Sequence, residues 1–401
     1  MSSPGLSVIV VHHRGEDHLR ESFDAIGAAS RDLAAETILV DNSGGTAVET
    51  LLREYPGVSR VAARGNVGFA TGCRLGAEAA RAPLLAFVND DAVVAPDALE
   101  RLAAALAAAP PDVTAVAGRL VDRTGERNDF SDGFLTFDGH AFQQDVGRPV
   151  AEIAAGRPGE ERLFACGGLM AVRREEFLSA GGFDDDYFAY LEDVDFGWRQ
   201  WIFGRRIIAE PRAVARHRGG ATGEALGIHA RGYLFEKNAF ATAYKNFDDE
   251  HFRALMPAIL AAFVGRIAEM LGTRNPGAAA LLRDPYREEG DPRAPDRIWA
   301  RILGIAESAA GPAAAVSVED PLTVAHLRAL LWIHRHQDSL AQKRRAVQAR
   351  RRRSDAEIFA KFPLRIVPTY PGDDRFDGAY FRELLGSSPA LVRSSLGEIF
   401  R

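Results

Sequence analysis

Cysteine is scarce in this chain of 401 residues, which contains only Cys73 and Cys166. Two cysteines can form neither a disulfide framework nor a cysteine-rich zinc site, so the fold depends on neither. Long uncharged segments are scarce as well. The longest, from Ala254 to Gly265, has about half the length of a membrane span and contains Pro257. We therefore expect no transmembrane helix.

A strong net charge is also absent. The chain has 49 Lys and Arg residues against 55 Asp and Glu residues, and its formal net charge of −6 argues against a protein dedicated to nucleic acid. The start of the chain leads directly into a strand-like segment, without the basic and apolar regions of a secretory signal. Together with the low cysteine content, this predicts a cytoplasmic protein.

The first 120 residues show a regular alternation of apolar segments with helical patterns. The apolar segments are short and rich in β-branched residues, as are strands buried on both faces of a sheet. They cover residues 6–12, 37–42, 58–62, 84–88 and 112–120. Strands and helices that alternate at this spacing predict an α/β fold with a mostly parallel sheet flanked by helices.

The pattern changes further along the chain. Residues 122–161 are rich in Gly, Asp and Arg, and a loop of this length in a compact domain is either a functional lid or disordered. Gly167 and Gly168 then interrupt an apolar run, which permits close approach of a ligand or another backbone. After about residue 223 the patterns are helical. The predicted helices cover 233–244, 251–271 and 322–353.

Polar residues gather where the predicted strands end. They are His12, His13, Asp41, Asn42, Asn89, Asp90 and Asp91. In open α/β sheets, ligands bind at the carboxyl ends of the strands, so we expect a binding site at this edge. A turn with Gly65, Gly68 and Gly72 opens the helix after the third strand, where backbone N–H groups can meet a phosphate. Its spacing is not that of a dinucleotide fingerprint.

The densest set of carboxylates lies in residues 182–199. Here Asp184, Asp185, Asp186, Glu192, Asp193 and Asp195 stand among the rings of Phe183, Tyr187, Phe188 and Tyr190. A carboxylate beside apolar rings loses hydration, which raises its pKa toward the range of a general base. The alternative is that these acids only occupy the first turn of a helix, where the dipole favours negative charge. The stretch by itself leaves both interpretations open.

Oxygen-bearing side chains at one strand end also suggest a metal site. Asn89, Asp90 and Asp91 are of the type that binds Mg²⁺ or Mn²⁺ together with a ligand's phosphates. His217 would add a nitrogen ligand that favours Mn²⁺, although a single loop histidine is more often an ordinary surface residue. A metal beside carboxylates suggests a nucleoside diphosphate leaving group and an activated hydroxyl nucleophile.

A basic run lies in the last predicted helix. It comprises Lys343, Arg344, Arg345 and Arg350–Arg353. One interpretation is a solvated helix end that the helix dipole favours. A second is a peripheral contact with anionic lipid headgroups, on the inner face of the membrane for a cytoplasmic protein. A nucleic-acid contact is the weakest alternative.

The order of these motifs resembles that of the inverting family 2 glycosyltransferases of GT-A (Rossmann-like) fold, in particular their bacterial rhamnosyltransferase-like branch. The matching segments are Ser7–Val11, Ile38–Asn42, Gly65–Ala70, Phe87–Asp91, Gly181–Asp184, Tyr190–Asp195, His217–Thr222 and Lys237–Asn238. We predict a GT-A domain over 1–245, with a nucleotide-binding half to about residue 120 and an acceptor half after it. A helical C-terminal region would follow over 246–401.

On the donor side, the resemblance implies contacts to the nucleotide and the sugar. They fall on Val11, His12, His13, Asp41, Asn66, Gly68, Asn89 and Asp90. Of these, Asp41 would hydrogen-bond the nucleobase, while Asn66 and Gly68 would approach the ribose and the diphosphate. The donor would be a nucleoside diphosphate sugar of UDP or dTDP type.

For the reaction itself, the resemblance implies four residues. Asp91 at the D-x-D position and His217 would bind Mn²⁺ or Mg²⁺. Asp193 would be the base that deprotonates the acceptor hydroxyl, and Glu192 would orient the acceptor or share the charge. The implied activity is a metal-dependent, inverting transfer of a sugar to a hydroxyl of a glycan or lipid-linked glycan.

The chain departs from the family pattern in two places that surround the donor. His12 and His13 stand where the family usually has Asn-Tyr or a similar pair, and Arg74 lies where a second Asn is common. Two other functions are alternatives to sugar transfer. A nucleotide-sugar-binding module without catalysis would have a degraded acidic centre, and a nucleotidyltransferase would have a Gly-rich, basic loop after the first strand.

Overall fold

The computed structural model describes residues 4–154, 156–219, 221–273, 321–370, 372–386 and 391–399. The strands are β1 (Leu6–His12), β2 (Ala35–Asp41), β3 (Val58–Ala62), β4 (Leu84–Val88), β5 (Ala92–Val94), β6 (Val113–Asp122), β7 (Asn128–Phe130), β8 (Gly133–Leu135), β9 (Ala141–Gln143), β10 (Leu169–Arg173), β11 (Arg206–His217), β12 (Leu364–Ile366) and β13 (Leu391–Arg393).

The α-helices of the described residues alternate with these strands and then dominate the C-terminal region. They are α1 (Glu16–Ala29), α2 (Ala47–Leu52), α3 (Gly68–Ala79), α4 (Ala98–Ala108), α5 (Arg174–Ser179), α6 (Glu192–Ile202), α7 (Ala221–Asn246), α8 (Asp249–Thr273), α9 (Pro321–Arg335), α10 (Gln337–Ala349), α11 (Asp355–Lys361), α12 (Ala379–Leu385) and α13 (Leu396–Ile399). The helical C-terminal region is thus confirmed for the part of the chain that the structure describes.

One mixed sheet forms the centre of the fold, with the strand order β3-β2-β1-β4-β10-β6-β11-β5 and β7 added beside β6. β1 pairs in parallel with β2 and β4, and β2 with β3, as the alternating pattern predicts. β10 runs antiparallel to both β4 and β6, which reverses the direction in the middle of the sheet. β6 and β11 are parallel again. The α/β fold is confirmed.

The position of α3 on the sheet depends on two glycines. A Cβ atom at Gly76 would lie 2.4 Å from Ile9 Cγ2, and one at Gly72 would lie 2.6 Å from Val11 Cγ1. Only a residue without a side chain allows the helix to lie this close to β1. As a consequence, the glycine-rich turn that begins α3 is placed over the carboxyl end of β1.

The prediction of a lid or a disordered loop over 122–161 is wrong for residues 128–143. This part contains β7, which pairs with β6, and the hairpin of β8 and β9. The backbone N–H of Phe137 donates to the carbonyl of Arg365, 3.1 Å away, so the hairpin is joined to the segment that contains β12. The partners that order this segment lie far away in sequence, where no local pattern can reveal them.

A buried ionic cluster joins the same hairpin to the C-terminal region. Arg266 of α8 lies 2.9 Å from Asp138 and 2.8 Å from Asp373, and His140 lies 3.2 Å from Glu236 of α7. All five side chains are buried. Burying charges is costly unless each one is paired, and removing one partner leaves the others uncompensated. The cluster therefore ties the hairpin to α7, α8 and the segment around residue 373.

The single helix predicted over 322–353 is two helices, α9 and α10. His336 lies between them, with φ −108° and ψ 14°. Its Nδ1 is 2.8 Å from the carbonyl oxygen of Trp332, and its ring stacks on the indole at 4.3 Å. A side chain that binds a backbone carbonyl can replace helical geometry locally. Because no Gly or Pro marks this break, periodicity did not predict it.

Helix α8 contains the segment Asp249–Glu269, which is long and apolar enough to cross a membrane by length and composition alone. Core helices of proteins outside membranes also meet this criterion, and 39% of the segment's apolar window is buried. Leu255 and Ile259 pack into the core, whereas Leu260 and Val264 are exposed. The expectation that the chain has no transmembrane helix stays a prediction.

The ionic cluster predicts a pH dependence of stability. Burial disfavours a charged imidazole, but the carboxylates of Asp138 and Glu236 outweigh it and raise the pKa of His140 to about 9. The unfolded value is about 6.5, so the folded protein binds this proton more tightly. The stabilisation is complete below the unfolded pKa and is lost as the pH rises through the folded pKa.

Between pH 7 and pH 9, we expect the wild-type free energy of unfolding to fall more steeply with pH than that of His140→Gln. The difference in slope should be about 1.4 kcal/mol per pH unit, the value for one proton. Urea denaturation followed by circular dichroism measures both slopes. His334→Gln, at an exposed histidine of α9, is the control and should keep the wild-type slope. Equal slopes for His140→Gln and wild type would contradict the prediction.

Candidate active site

His217, Asp91 and Asp129 meet at one edge of the sheet. His217 is the last residue of β11 and pairs with Ala92, the first residue of β5, so it lies beside Asp91. Its Nε2 is 3.0 Å from Asp91 Oδ1 and its Nδ1 is 2.5 Å from Asp129 Oδ2. The imidazole is therefore fixed between two carboxylates that are far apart in sequence. Asp129 was not predicted from the sequence, because it stands in a segment without periodicity.

The two carboxylates control the proton on His217. Burial disfavours the charged ring, but hydrogen bonds to Asp129 and Asp91 raise the pKa of His217 to about 10. A divalent ion bound by Asp91 Oδ1 and His217 Nε2 would replace the Nε2 proton, since metal ligands must be deprotonated. Asp129 would then be the carboxylate that orients a metal-binding histidine through its other nitrogen. An oxygen and a nitrogen donor together suit Mn²⁺.

Asp90 points toward β1. Its Oδ2 is 2.7 Å from Nδ1 of His12, which is fully buried. Burial raises the pKa of Asp90, and the hydrogen bond to His12 opposes that rise. The residue that departs from the family pattern at position 12 thus orients a residue of the Asn89–Asp91 segment. A donor contact of either side chain stays a prediction.

Gly167 and Gly168 connect the Asn89–Asp91 segment to Asp193. The N–H of Gly167 donates to Asp193 Oδ2 at 2.9 Å, and the carbonyl of Gly168 accepts from the N–H of Asn89 at 3.1 Å. A Cβ at Gly167 would lie 2.9 Å from the ring of Phe69. A side chain lies closest to Gly167, so the predicted approach of a ligand or another backbone stays a prediction. Hydrogen bonds therefore link Asp193 to the segment that carries the metal-ligand candidate Asp91.

Glu192 and Asp193 are the first two residues of α6, so the carboxylates do occupy a helix start. Burial raises the pKa of Asp193, and burial together with the Asp193 charge raises the pKa of Glu192 well above its usual range. Asp193 accepts hydrogen bonds from the N–H groups of Gly167 and Val194. Glu192 Oε2 has no hydrogen-bond partner in the described part of the chain. We infer that Asp193 carries the charge and that Glu192 is protonated beside it.

The remaining acids of this stretch differ from Glu192 and Asp193, because each of them forms an ion pair. Asp184 contacts Lys245 and Lys343, and Asp195 contacts Lys245 and Arg199. Asp186 also contacts Lys343. Asp185 is half-exposed and pairs with Arg74, which is the second departure from the family pattern. Arg74 therefore neutralises one carboxylate of the acidic stretch.

Asp41 lies at the end of β2, as predicted, but both of its oxygens already have protein donors. Oδ1 accepts from the N–H and the hydroxyl of Ser43, at 2.8 and 2.6 Å. Oδ2 accepts from Arg60 Nε at 3.0 Å. Recognition of a nucleobase by Asp41 stays a prediction. The structure adds Arg60, which is partly exposed beside it, to the side chains near that position.

The other predicted donor residues line the ends of β1 and the glycine-rich turn. His13 Nδ1 is 3.1 Å from the carbonyl oxygen of Asn42. The N–H of Gly68 donates to Asn66 Oδ1 at 3.0 Å, and Gly68 has a left-handed φ of 81°. The side chain of Val11 packs under α3 at Gly72, so only its backbone can line a pocket. Their contacts to a nucleotide stay predictions.

The fold as a whole is that of GT-A glycosyltransferases. The structure is similar to the crystal structure of GalNAc-T7 with UDP, GalNAc and Mn²⁺, with a TM-score of 0.50 and 18% sequence identity. The match covers 65% of this chain and 52% of that chain. At this identity the similarity shows the fold alone.

The sequence matches a family model over part of its length. Residues 7–177 match the sequence model of Glycosyl transferase family 2, the family whose order of motifs the chain resembles. It is 28% identical over 249 residues to the O-antigen biosynthesis protein RfbC of Myxococcus xanthus, covering 59% of this chain and 19% of that protein.

A second relative is the N-acetylglucosaminyl-diphospho-decaprenol L-rhamnosyltransferase of Mycobacterium tuberculosis (strain CDC 1551 / Oshkosh). It is 41% identical over 64 residues, covering 16% of this chain and 21% of that protein. The chain thus spans only about a fifth of the length of both curated relatives, at 19% and 21%.

The geometry around His217 predicts a role for Asp129 in metal binding. Asp129→Asn keeps the size of the side chain but removes the charge that orients the imidazole, and we expect Mn²⁺ to bind about 10–100-fold more weakly. Isothermal titration calorimetry with Mn²⁺ measures this. Asp145→Asn is the matched control, since Asp145 lies in the same segment but pairs with Arg148. Unchanged affinity of Asp129→Asn for Mn²⁺ would show that this carboxylate does not orient His217 for metal binding.

Proposed function

We propose that the protein is a metal-dependent, inverting glycosyltransferase that moves a sugar from a nucleoside diphosphate donor to an acceptor hydroxyl. One observation carries the proposal. The Asp193 carboxylate is joined through two consecutive glycines to the Asn89–Asp91 segment, so hydrogen bonds link a desolvated candidate base to the segment that carries a candidate metal ligand. Transfer with inversion needs these two functions side by side.

The roles of the side chains follow from their protonation. Asp193 accepts the proton of the acceptor hydroxyl while the acceptor oxygen bonds to the anomeric carbon and the bond to the diphosphate breaks. Protonated Glu192 donates a hydrogen bond that orients the acceptor. Asp91 and His217 would bind Mn²⁺ or Mg²⁺, whose charge would stabilise the departing diphosphate.

The names of similar proteins support a finer proposal. A decaprenol-linked rhamnosyltransferase and an O-antigen biosynthesis protein are among them, and a solved structure of this fold contains UDP. We propose a UDP- or dTDP-type donor and a glycan or lipid-linked glycan as acceptor. A binding module without catalysis is disfavoured, since Asp91, Asp193 and His217 are all present and Asp91 lies beside His217. A nucleotidyltransferase is disfavoured by the acidic segment Glu16–Asp17 after β1.

Replacing the proposed base tests the function. Because proton acceptance is lost while the donor contacts remain, Asp193→Asn should reduce turnover by about 10²–10⁴-fold and leave donor affinity nearly unchanged. Turnover is measured as the release of nucleoside diphosphate. The wild type is first screened with nucleotide sugars in the presence of Mn²⁺ and Mg²⁺, and the variant is then compared with it.

Asp185→Asn is the matched control for that variant. Asp185 belongs to the same acidic stretch but is half-exposed and paired with Arg74, so its replacement should keep turnover close to that of the wild type. Full turnover in Asp193→Asn with a confirmed acceptor would show that another group takes the proton.

The proposed membrane contact of residues 343–353 rests on few side chains. Lys343 binds the acidic stretch, and further cations of the run bind protein oxygens: Arg344, Arg350, Arg351 and Arg353. Arg345 and Arg352 are exposed, and no ion pair of theirs occurs within the described residues. Two exposed cations provide only a weak attraction to anionic headgroups.

We therefore expect weak, salt-sensitive flotation with vesicles that contain anionic lipid, and none with neutral vesicles. Arg345→Glu combined with Arg352→Glu should abolish it, because these substitutions turn attraction into repulsion. Equal flotation on neutral and anionic vesicles would exclude an electrostatic contact.

A further inference from the structure

The backbone just before the proposed base is in a disfavoured conformation. Phe188, Tyr190 and Leu191 have φ values of 64°, 72° and 65°. Residues with a Cβ rarely adopt positive φ, and such conformations persist only where their surroundings hold them. Leu191 is the residue that directly precedes α6, so the conformation of this segment determines where Glu192 and Asp193 begin their helix.

Asn238 of α7 holds this segment from one side. Its Nδ2 lies 3.1 Å from the carbonyl oxygen of Tyr187, 2.9 Å from that of Ala189 and 2.7 Å from that of Tyr190. The side chain is buried, so water cannot replace these bonds. The neighbouring Lys237 donates to the carbonyl of Asp186. One asparagine thus binds the carbonyls on both sides of Phe188 and the one before Leu191.

The glycine-rich turn holds the segment from the other side. The N–H of Ala70 donates to the carbonyl of Phe188 at 3.1 Å. A Cβ at Gly68 would lie 2.5 Å from the same oxygen, so this contact also needs a glycine. The strained segment is therefore fixed between α7 and the turn at the start of α3.

We propose that Asn238 is a positioning residue for sugar transfer, which fixes residues 187–191 so that Asp193 meets the acceptor hydroxyl. The inference rests on the proposed function, with Asp193 as the base. Without the amide, the carbonyls of Tyr187, Ala189 and Tyr190 each lose a donor, and the residues with positive φ relax. The start of α6 then moves, and with it the carboxylate. A displacement of about 1 Å is enough to cost on the order of 100-fold in rate.

The test is a series of substitutions at Asn238 in the full chain. Ser retains one donor, Ala retains none, and Asp places a carboxylate against carbonyl oxygens. We expect kcat to fall in the order wild type, Ser, Ala, Asp, with a loss of about 100-fold for Ala. The donor KM should change less than kcat, because the Asn238 amide contacts only carbonyls of residues 187–190 and no predicted donor residue. Each kcat is normalised to the folded fraction from circular dichroism, and Ser keeps the series informative if Ala does not fold.

Thr242→Val is the matched control. Thr242 lies on the same helix, is buried, and its hydroxyl is 2.6 Å from the hydroxyl of Tyr187. The substitution removes one buried hydrogen bond to the same segment without touching its backbone. A merely structural role would therefore lower kcat in Thr242→Val as much as in Asn238→Ala, whereas positioning leaves Thr242→Val near the wild type.

The pH profile gives a second readout. Because burial raises the pKa of Asp193, a displaced and better hydrated carboxylate should move the acidic limb of kcat/KM to lower pH in Asn238→Ala. If Asn238→Ala keeps the wild-type kcat and the acidic limb of its pH profile is not shifted, the inference about Asn238 is wrong while the proposed function still stands. If Asp193→Asn also keeps wild-type turnover, or the wild type transfers no sugar, the proposed function falls together with the inference.

Discussion

The acidic stretch between residues 184 and 195 depends on the neutralisation of its own negative charge. Carboxylates crowded between positions 184 and 195 would repel one another unless cations were placed among them. Lys245, almost completely buried, lies 2.6 Å from Asp184 and 3.0 Å from Asp195, and Lys343 reaches Asp184 and Asp186 from the C-terminal region. These pairs confine the unpaired carboxylates to Glu192 and Asp193.

The same interactions make the sheet with its flanking helices and the C-terminal helices interdependent. Lys343 lies on α10, outside the region that the motifs cover, yet it binds the acidic stretch. The cluster around Arg266 does the same for the β8–β9 hairpin, and Phe137 is joined by its backbone to Arg365. The division at residue 245 stays a prediction. In the described residues, charged and backbone contacts cross it at several points.

The sequence predicted those parts of the structure that local periodicity encodes. Alternating apolar segments located the strands, and polar residues at their ends located Asp91, which the fold then places 3.0 Å from His217. The order of motifs indicated the family. Asp129 could not be predicted, because its partner His217 is 88 positions away and nothing in its neighbours marks it. Arg60 beside Asp41 and the break at His336 were also missed, because side-chain contacts that periodicity does not encode decide both.

Lys343 also matters for truncation of this protein. A fragment that ends with the family motifs near residue 245 would keep Asp184 and Asp186 but lose the ammonium group that contacts both, together with Arg344 and Gln348, which bind the last carbonyls of α7. A cut at residue 245 would therefore remove side chains that bind the acidic stretch and the end of α7. Any fragment meant to keep the ion pairs of the acidic stretch must therefore include α10.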